Sequence, residues 1–132
     1  MHLADESVMQ ERRIETRLLC AELVEVIWSE KSGKQRRKVA NLEDISLSGA
    51  CLQMENHLLR ETPVTIRYGD GKLVGVVRYC FYRDFGYFVG VQFTDGCKWS
   101  TKHFKPKHLM NPEKLLHLAI QRYESEKVET AL

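Results

Sequence analysis

The side chains best suited to binding chemistry are three arginines near the start of the chain, Arg12, Arg13 and Arg17. A guanidinium is planar and always charged, and its fork of N–H donors pairs bidentately with a phosphate or with the O6 and N7 acceptors of guanine. It can also stack flat on a purine. The arginines directly precede the first hydrophobic segment, and a protein core could not hold them. A local basic cluster attracts anions even when the net charge is small, so this segment predicts an anion-binding arm.

A second group of candidate residues lies in the hexapeptide 44–49, where Asp44, Ser46 and Gly49 stand between two strand-like runs. Asp and Ser side chains bond nearby backbone groups and Gly can adopt a positive φ, so this stretch predicts a sharp strand-to-strand connection. The two oxygens of a carboxylate also match the paired N1 and N2 donors of guanine, and a serine hydroxyl can bond a base edge or a phosphate. The purely structural alternative is that Asp44 closes a turn and that Arg13 pairs with a neighbouring glutamate.

Taken together, R-x-x-x-R at Arg13 and Arg17 followed by D-x-S-x-x-G at residues 44–49 resembles the PilZ family, bacterial receptors for cyclic di-GMP. The two motifs are separated by about one β-hairpin of chain. Residues 75–78 and 89–93 are similar to the later strands of the family, so the resemblance covers residues 11–93.

The resemblance implies a binding site for cyclic di-GMP in which arginines grip phosphate and guanine while the turn reads guanine. It carries over Arg12, Arg13 and Arg17 from the arm, and Asp44, Ser46 and Gly49 from the turn. Arg78 is a further candidate, because relatives sometimes place an aromatic or basic residue near the ligand at this strand position.

Six strand-like segments joined by tight turns position these groups, at residues 18–28, 39–42, 50–54, 63–68, 72–82 and 87–93. Short strands with little helix between them predict an all-β fold, a small six-stranded antiparallel β-barrel, whose closure removes exposed strand edges. On the fifth strand, alternation predicts that Tyr79 and Phe81 face inward with Leu73 and Val77, and that Arg78 faces the other side.

The C-terminal residues 111–132 predict an α-helix that begins with Asn111 as N-cap and Pro112 at the first helical position. An apolar stripe at helical spacing is formed by Leu115, Leu116, Leu118, Ala119, Ile120 and Tyr123. We expect this stripe to pack on the open end of the barrel, and pairing with another chain is the alternative. The expected organisation is a flexible tail at residues 1–10, a barrel with its arginine arm at 11–110 and the helix.

Composition narrows the class of protein. A chain of 132 residues is long enough for one domain, and its net charge of +2 is too small to indicate a general DNA or membrane surface. Four cysteines without C-x-x-C spacing, and the lack of a signal peptide or long apolar segment, predict free thiols in a cytoplasmic protein without membrane insertion. Cys97, His103 and His108 are one ligand short of a zinc site, so no metal or cofactor is expected.

The predicted function is therefore that of a cyclic di-GMP receptor or adaptor and not of an enzyme, since no nucleophile is paired with a base. The ligand is expected to order the arginine arm onto the barrel and to create a surface for a downstream protein partner. Two alternatives stay open: a PilZ-like interaction module without nucleotide binding, and an RNA- or single-strand-binding barrel. The protein is expected to be a monomer or a homodimer.

Overall fold

The computed structural model describes residues 15–94 and 96–131, with side chains described as far as residue 127. Six antiparallel strands close into a barrel in the order β1-β2-β3-β6-β5-β4. The strands are β1 (Leu18–Ser29), β2 (Gln35–Ile45), β3 (Gly49–Met54), β4 (Pro63–Tyr68), β5 (Gly71–Arg83) and β6 (Gly86–Phe93). The predicted six-stranded barrel is confirmed. The predicted tail and two of the arm's arginines, Arg12 and Arg13, lie outside the described residues.

Alternating side chains of all six strands fill the barrel. Eight aliphatic side chains are almost fully buried there, namely Val26, Leu42, Ile45, Leu52, Val64, Ile66, Val77 and Val89. Burying a side chain of this size contributes about 1.5–3 kcal/mol, so these positions provide the main favourable free energy of folding. Closure depends on a short ladder in which Glu25, Val26 and Ile27 of β1 pair with β4.

Two β-bulges change which side chains face outward. The extra residue in β2 is Glu43, because the β2–β3 register shifts between Leu42 and Asp44. The extra residue in β5 is Arg78, because the register with β6 shifts between its two neighbours. Each extra residue reverses the alternation beyond it, so Asp44 and Tyr79 both point to the outside of the barrel.

The prediction that Tyr79 and Phe81 face inward is therefore wrong. Their side chains are 38% and 45% exposed, whereas Val77, before the bulge, is fully buried. The two rings stack on the outer surface with centroids 5.8 Å apart, and Phe81 stacks in turn on Phe88 at 5.6 Å. These three residues, which we name the aromatic row, run along the outside of the β5–β6 hairpin.

The C-terminal helix α1 (Pro112–Ala131) begins as predicted, since the Asn111 side chain accepts a hydrogen bond of 2.9 Å from the amide of Glu113. The predicted packing of its apolar stripe on the barrel is wrong, and Leu116 for example is 61% exposed. The reason lies in the preceding segment. Trp99 is buried in the core, and Phe104 packs against that core. The barrel end is thus already covered before the helix begins.

Within residues 15–131, residue 95 aside, helix α1 lacks the sustained apolar length that a bilayer crossing requires.

Replacing Leu52 with Ala should lower the free energy of unfolding by about 2–5 kcal/mol, because the cavity would lie among fully buried neighbours. The matched control is Leu23→Ala on β1, whose side chain is 73% exposed. That change should stay within about 0.5 kcal/mol of wild type. Urea unfolding of both variants measures the difference, and equal effects would contradict the described core.

Candidate ligand-binding site

The turn between β2 and β3, residues 46–48, is fixed from behind by two backbone hydrogen bonds. The Leu47 carbonyl accepts one from the amide of Trp99 at 2.9 Å, and the Ser48 carbonyl accepts one from the amide of Phe93 at 2.7 Å. Both donors belong to residues whose rings are buried in the core. The turn is therefore held at the rim of the barrel by its carbonyl groups. The Ser48 amide is not used in these bonds and faces the outer side of the turn.

Gly49 ends this turn for a reason other than the one predicted. The amide of Ser46 donates to the Gly49 carbonyl at 2.8 Å, which closes the turn. Gly49 does not have a positive φ, whereas Gly33, Gly69 and Gly96 do. A Cβ at Gly49 would instead lie 2.7 Å from the carbonyl oxygen of Val91. The position requires glycine because the backbone of β6 approaches closely.

Glu15 occupies the outer side of the turn. Its Oε1 atom accepts hydrogen bonds from the Ser46 hydroxyl at 2.6 Å, the Ser48 amide at 2.7 Å and the Ser48 hydroxyl at 2.6 Å. Burial alone would raise the pKa of this carboxyl, but the bonds from the two serines and the charge of Arg17 outweigh it and hold the pKa below its usual value. Glu15 is thus a bound, ionised anion.

Arg17 and Asp44 lie on the same side of the barrel. Arg17 is exposed, and its charge acts to lower the pKa of Asp44. Burial is the larger effect, and together with the nearby charge of Glu43 it raises the pKa of Asp44 above its usual value. The two side chains thus bring opposite charges near each other on this side of the barrel.

Asp44 begins a row of paired residues that crosses the outer surface from β2 through β3 and β6 to β5. Asp44 pairs with Cys51, Cys51 with Gly90, and Gly90 with Tyr79. The tyrosine ring lies flat on Gly90, where any Cβ would overlap it. Burial, followed by the neighbouring Cys51, raises the pKa of Tyr79 to about 12, so its hydroxyl stays neutral. Tyr79 thus presents a flat, uncharged face.

Arg78 completes the site on the far side. Its Nε donates to the Gln92 side chain at 2.6 Å, and one terminal nitrogen donates to Glu61 at 2.7 Å. These two bonds orient the guanidinium, which remains partly exposed.

A single pocket of about 720 Å³ gathers most of these groups. Its lining includes four of the predicted residues, Arg17, Ser46, Gly49 and Arg78. Asp44 does not line the pocket, but the charge of Arg17 reaches it. The lining also includes residues that were not predicted: Glu15, Ser48, Tyr79, Gly90 and Gln92. Among the described residues, no group of three or more His, Cys, Asp or Glu side chains could hold a metal ion.

Comparison with known proteins identifies the architecture. No protein-family model and no curated protein sequence matches the chain. Among solved structures, the chain is similar to the PilZ domain of YcgR from Escherichia coli with c-di-GMP, at a TM-score of 0.52 and 16% identity, covering 91% of this chain and 97% of that one. The chain has the fold of a PilZ domain.

A second solved structure, YcgR from Escherichia coli in complex with c-di-GMP, matches at a TM-score of 0.51 and 14% identity. The alignment covers 92% of the present chain but 51% of that protein, so this PilZ fold spans about half of the longer chain.

Sequence reasoning found the turn of the PilZ fold but missed what it contacts. Glu15 was considered only as a neighbour of Arg13, because its partners Ser46 and Ser48 lie more than thirty residues away. Simple alternation predicts that Tyr79 faces inward, because nothing in the sequence marks Arg78 as the extra residue of a β-bulge. One signal for Tyr79 was present, since a glycine inside a strand often marks a close approach, and an aromatic ring on the paired strand can cover it.

Opposite pKa shifts predict opposite stability effects for the two carboxyls at the site. Because the pKa of Glu15 is lowered on folding, its ionised form stabilises the fold at neutral pH, and this contribution is lost as the pH falls through the folded value. The pKa of Asp44 is raised, so its contribution is present at low pH and is lost as the pH rises through the folded value.

At neutral pH, Glu15→Gln should therefore lower the free energy of unfolding and Asp44→Asn should raise it. Both differences from wild type should shrink at a pH below the folded pKa of each group. Urea unfolding at the two pH values measures this. Finding that Asp44→Asn destabilises the barrel at neutral pH would contradict the described environment.

Proposed function

We propose that the chain is a receptor for cyclic di-GMP and that it binds the dinucleotide in the pocket beside the Ser46–Ser48 turn. The observation that carries the proposal is the placement of Arg17, Asp44 and the turn on one outer face of a PilZ fold. The hypothesis from the sequence motif depends on these groups lying close together. A barrel that placed them on different faces would have contradicted it. The similar PilZ domain of YcgR was solved with the same dinucleotide, which supports this choice of ligand.

The chemistry of the pocket suits such a ligand. Cyclic di-GMP has two phosphates and a net charge of about −2, and each guanine offers paired donors and paired acceptors. Arg17 and Arg78 supply guanidinium forks for phosphate or for guanine O6 and N7. Ionised Asp44 accepts from guanine N1 and N2, and the Tyr79 ring offers a stacking surface. Arg12 and Arg13 complete the donor set in this proposal.

A receptor fits the pocket better than an enzyme does. The hydroxyls of Ser46 and Ser48 are the available nucleophiles of the pocket, and both donate to Glu15. A general base works best when its pKa lies near the working pH, and the pKa of Glu15 is shifted the opposite way.

In the proposed mechanism, binding draws the arginine arm onto the pocket and changes the outer surface of the barrel. The aromatic row begins in the pocket at Tyr79 and continues to Phe81 and Phe88. An ordered arm beside this exposed apolar row forms a composite surface that is absent before binding. A downstream protein partner would recognise that surface, as an adaptor requires.

The outward aromatic row also favours a second candidate function, binding of single-stranded RNA or DNA. Stacked aromatic side chains beside arginines are the usual platform for successive bases. The expected inward position of Tyr79 and Phe81 was the argument against this function, and it no longer holds. The two candidates differ in ligand length and in salt dependence, because a strand neutralises many more positive groups than one dinucleotide does.

Calorimetric titration with cyclic di-GMP should give micromolar or tighter binding for wild type. Arg17→Ala and Asp44→Ala should each weaken binding by roughly 10- to 100-fold, because a hydrogen bond to a charged group contributes about 1.5–3 kcal/mol. Arg37→Ala is the matched control, since Arg37 pairs with Glu25 at 3.3 Å and does not line the pocket.

No heat at millimolar cyclic di-GMP, with a gel shift of a single-stranded oligonucleotide that Tyr79→Ala abolishes, would replace the first function by the second. Equal losses of affinity in Arg17→Ala and Arg37→Ala would mean that Arg17 acts only through its positive charge and not through contact with the ligand.

The affinity should also depend on pH. Because the pKa of Asp44 is raised, mildly acidic solution protonates this acceptor earlier than an ordinary aspartate. Binding of cyclic di-GMP should therefore weaken as the pH falls through the raised pKa of Asp44, and Asp44→Asn should remove that dependence. Titrations at three pH values with both proteins measure it, and a dependence that survives in Asp44→Asn would assign the effect to another group.

A further inference from the structure

The Ser46–Ser48 turn directs three hydrogen-bond donors at one point outside the barrel. The amide of Ser48 and the hydroxyls of Ser46 and Ser48 all reach a single oxygen atom within 2.7 Å. Distances of this kind are typical of charge-assisted bonds to an oxyanion. The oxygen that they hold belongs to Glu15, a side chain of the same chain. A carboxylate oxygen and a phosphate oxygen are equivalent acceptors for such donors, so the turn is a binding point for either.

Glu15 is not required to shape this turn. The Leu47 and Ser48 carbonyls are bonded to the amides of Trp99 and Phe93, and the Ser46 amide is bonded to Gly49. These backbone bonds aim the Ser48 amide outward whether or not an anion is present. Ser46 keeps a second acceptor in the Gly49 carbonyl at 3.2 Å, so its hydroxyl stays paired when Glu15 leaves. Glu15 therefore behaves as an occupant of a preformed site and not as part of its frame.

The place of Glu15 in the chain allows it to leave. It lies before β1 begins at Leu18, outside the barrel ladder. It is also two residues before Arg17, which lines the same pocket. Displacement of the carboxylate thus needs only a rotation of residues 15–17, and the barrel itself need not move.

We propose that the Ser46–Ser48 turn is an oxyanion subsite for a phosphate of the ligand, that Ser48 contacts the ligand, and that Glu15 occupies this subsite until the ligand displaces it. The inference rests on the proposed function and adds to it a named subsite and an internal competitor. The competing group and the ligand phosphate carry the same sign of charge, so the two cannot share the three donors.

Competition of this kind weakens ligand binding, and the effect grows with the fraction of molecules in which Glu15 occupies the subsite. The apparent Kd equals the intrinsic Kd divided by the fraction of molecules with an empty subsite. If Glu15 is bound in about nine molecules of ten, its removal tightens binding about tenfold. The free protein therefore responds at a higher ligand concentration than it would without Glu15 in the subsite.

The test compares Glu15→Gln with Glu25→Gln in titrations with cyclic di-GMP. Both changes remove one negative charge from the chain near β1, but Glu25 pairs with Arg37 and does not line the pocket. We expect Glu15→Gln to bind at least fivefold more tightly than wild type and Glu25→Gln to stay within twofold. Adding Ser48→Ala to Glu15→Gln should then weaken binding by at least threefold, since one donor to the phosphate is lost.

Each outcome decides between the two proposals. If wild type binds and Glu15→Gln binds equally or less tightly, the competitor is overturned while the receptor function stands. Equal tightening in Glu25→Gln attributes the effect to net charge and likewise overturns it. Binding by Glu15→Gln alone supports both proposals, and no binding by any variant at millimolar ligand overturns both.

Amide NMR gives a second measurement that does not depend on affinity. The Ser48 amide resonance should move on Glu15→Gln and move again on addition of cyclic di-GMP to either protein. A Ser48 resonance that stays in place while calorimetry reports binding would overturn the subsite.

Discussion

The hydrogen bond from the Trp99 amide to the Leu47 carbonyl is the contact on which the site most depends. Trp99 is 6% exposed, and its indole nitrogen donates to the Phe104 carbonyl at 2.7 Å, so its position is set by the core and by its own segment. Through that bond, core packing determines where the turn lies. The turn is consequently held in place by the core, whereas Arg17 precedes β1 and lies outside the barrel ladder. The core thus fixes the direction of the donors that the turn presents on its outer side.

The pKa values of two carboxyl groups at this site are shifted in opposite directions. Glu15 is surrounded by donors, so its charge is stabilised, whereas Asp44 is partly buried next to Glu43 and its charge is opposed. The difference arises from the environment and not from the residue type. It divides their roles in the proposed function, because a group with a lowered pKa stays ionised at neutral pH and can mimic a phosphate, whereas a group with a raised pKa can make guanine recognition sensitive to pH.

Much of the fold could be predicted from local patterns, because alternation, tight turns and the Asn111 cap are properties of a few neighbouring residues. The turn of the site was found for the same reason, since Asp, Ser and Gly combine at short spacing. The predictions that failed depend on contacts between distant parts of the chain. The partners of Glu15 lie in another strand connection, and the covering of the barrel end by Trp99 left the apolar stripe of α1 exposed. The β-bulges were missed because an extra residue leaves the composition of a strand unchanged.

Those two bulges give the surface an unusual route of variation. Glu43 and Arg78 each add one residue to a strand, and the bulge that takes up this residue keeps Asp44 and Tyr79 on the same outer row. Because Leu42 and Val77 face inward and the next ladder position faces outward, deleting Glu43 or Arg78 would leave Asp44 or Tyr79 on the outer face. At these two positions the coding sequence can therefore gain or lose a single codon while the outer row, every strand and the hydrophobic interior are retained.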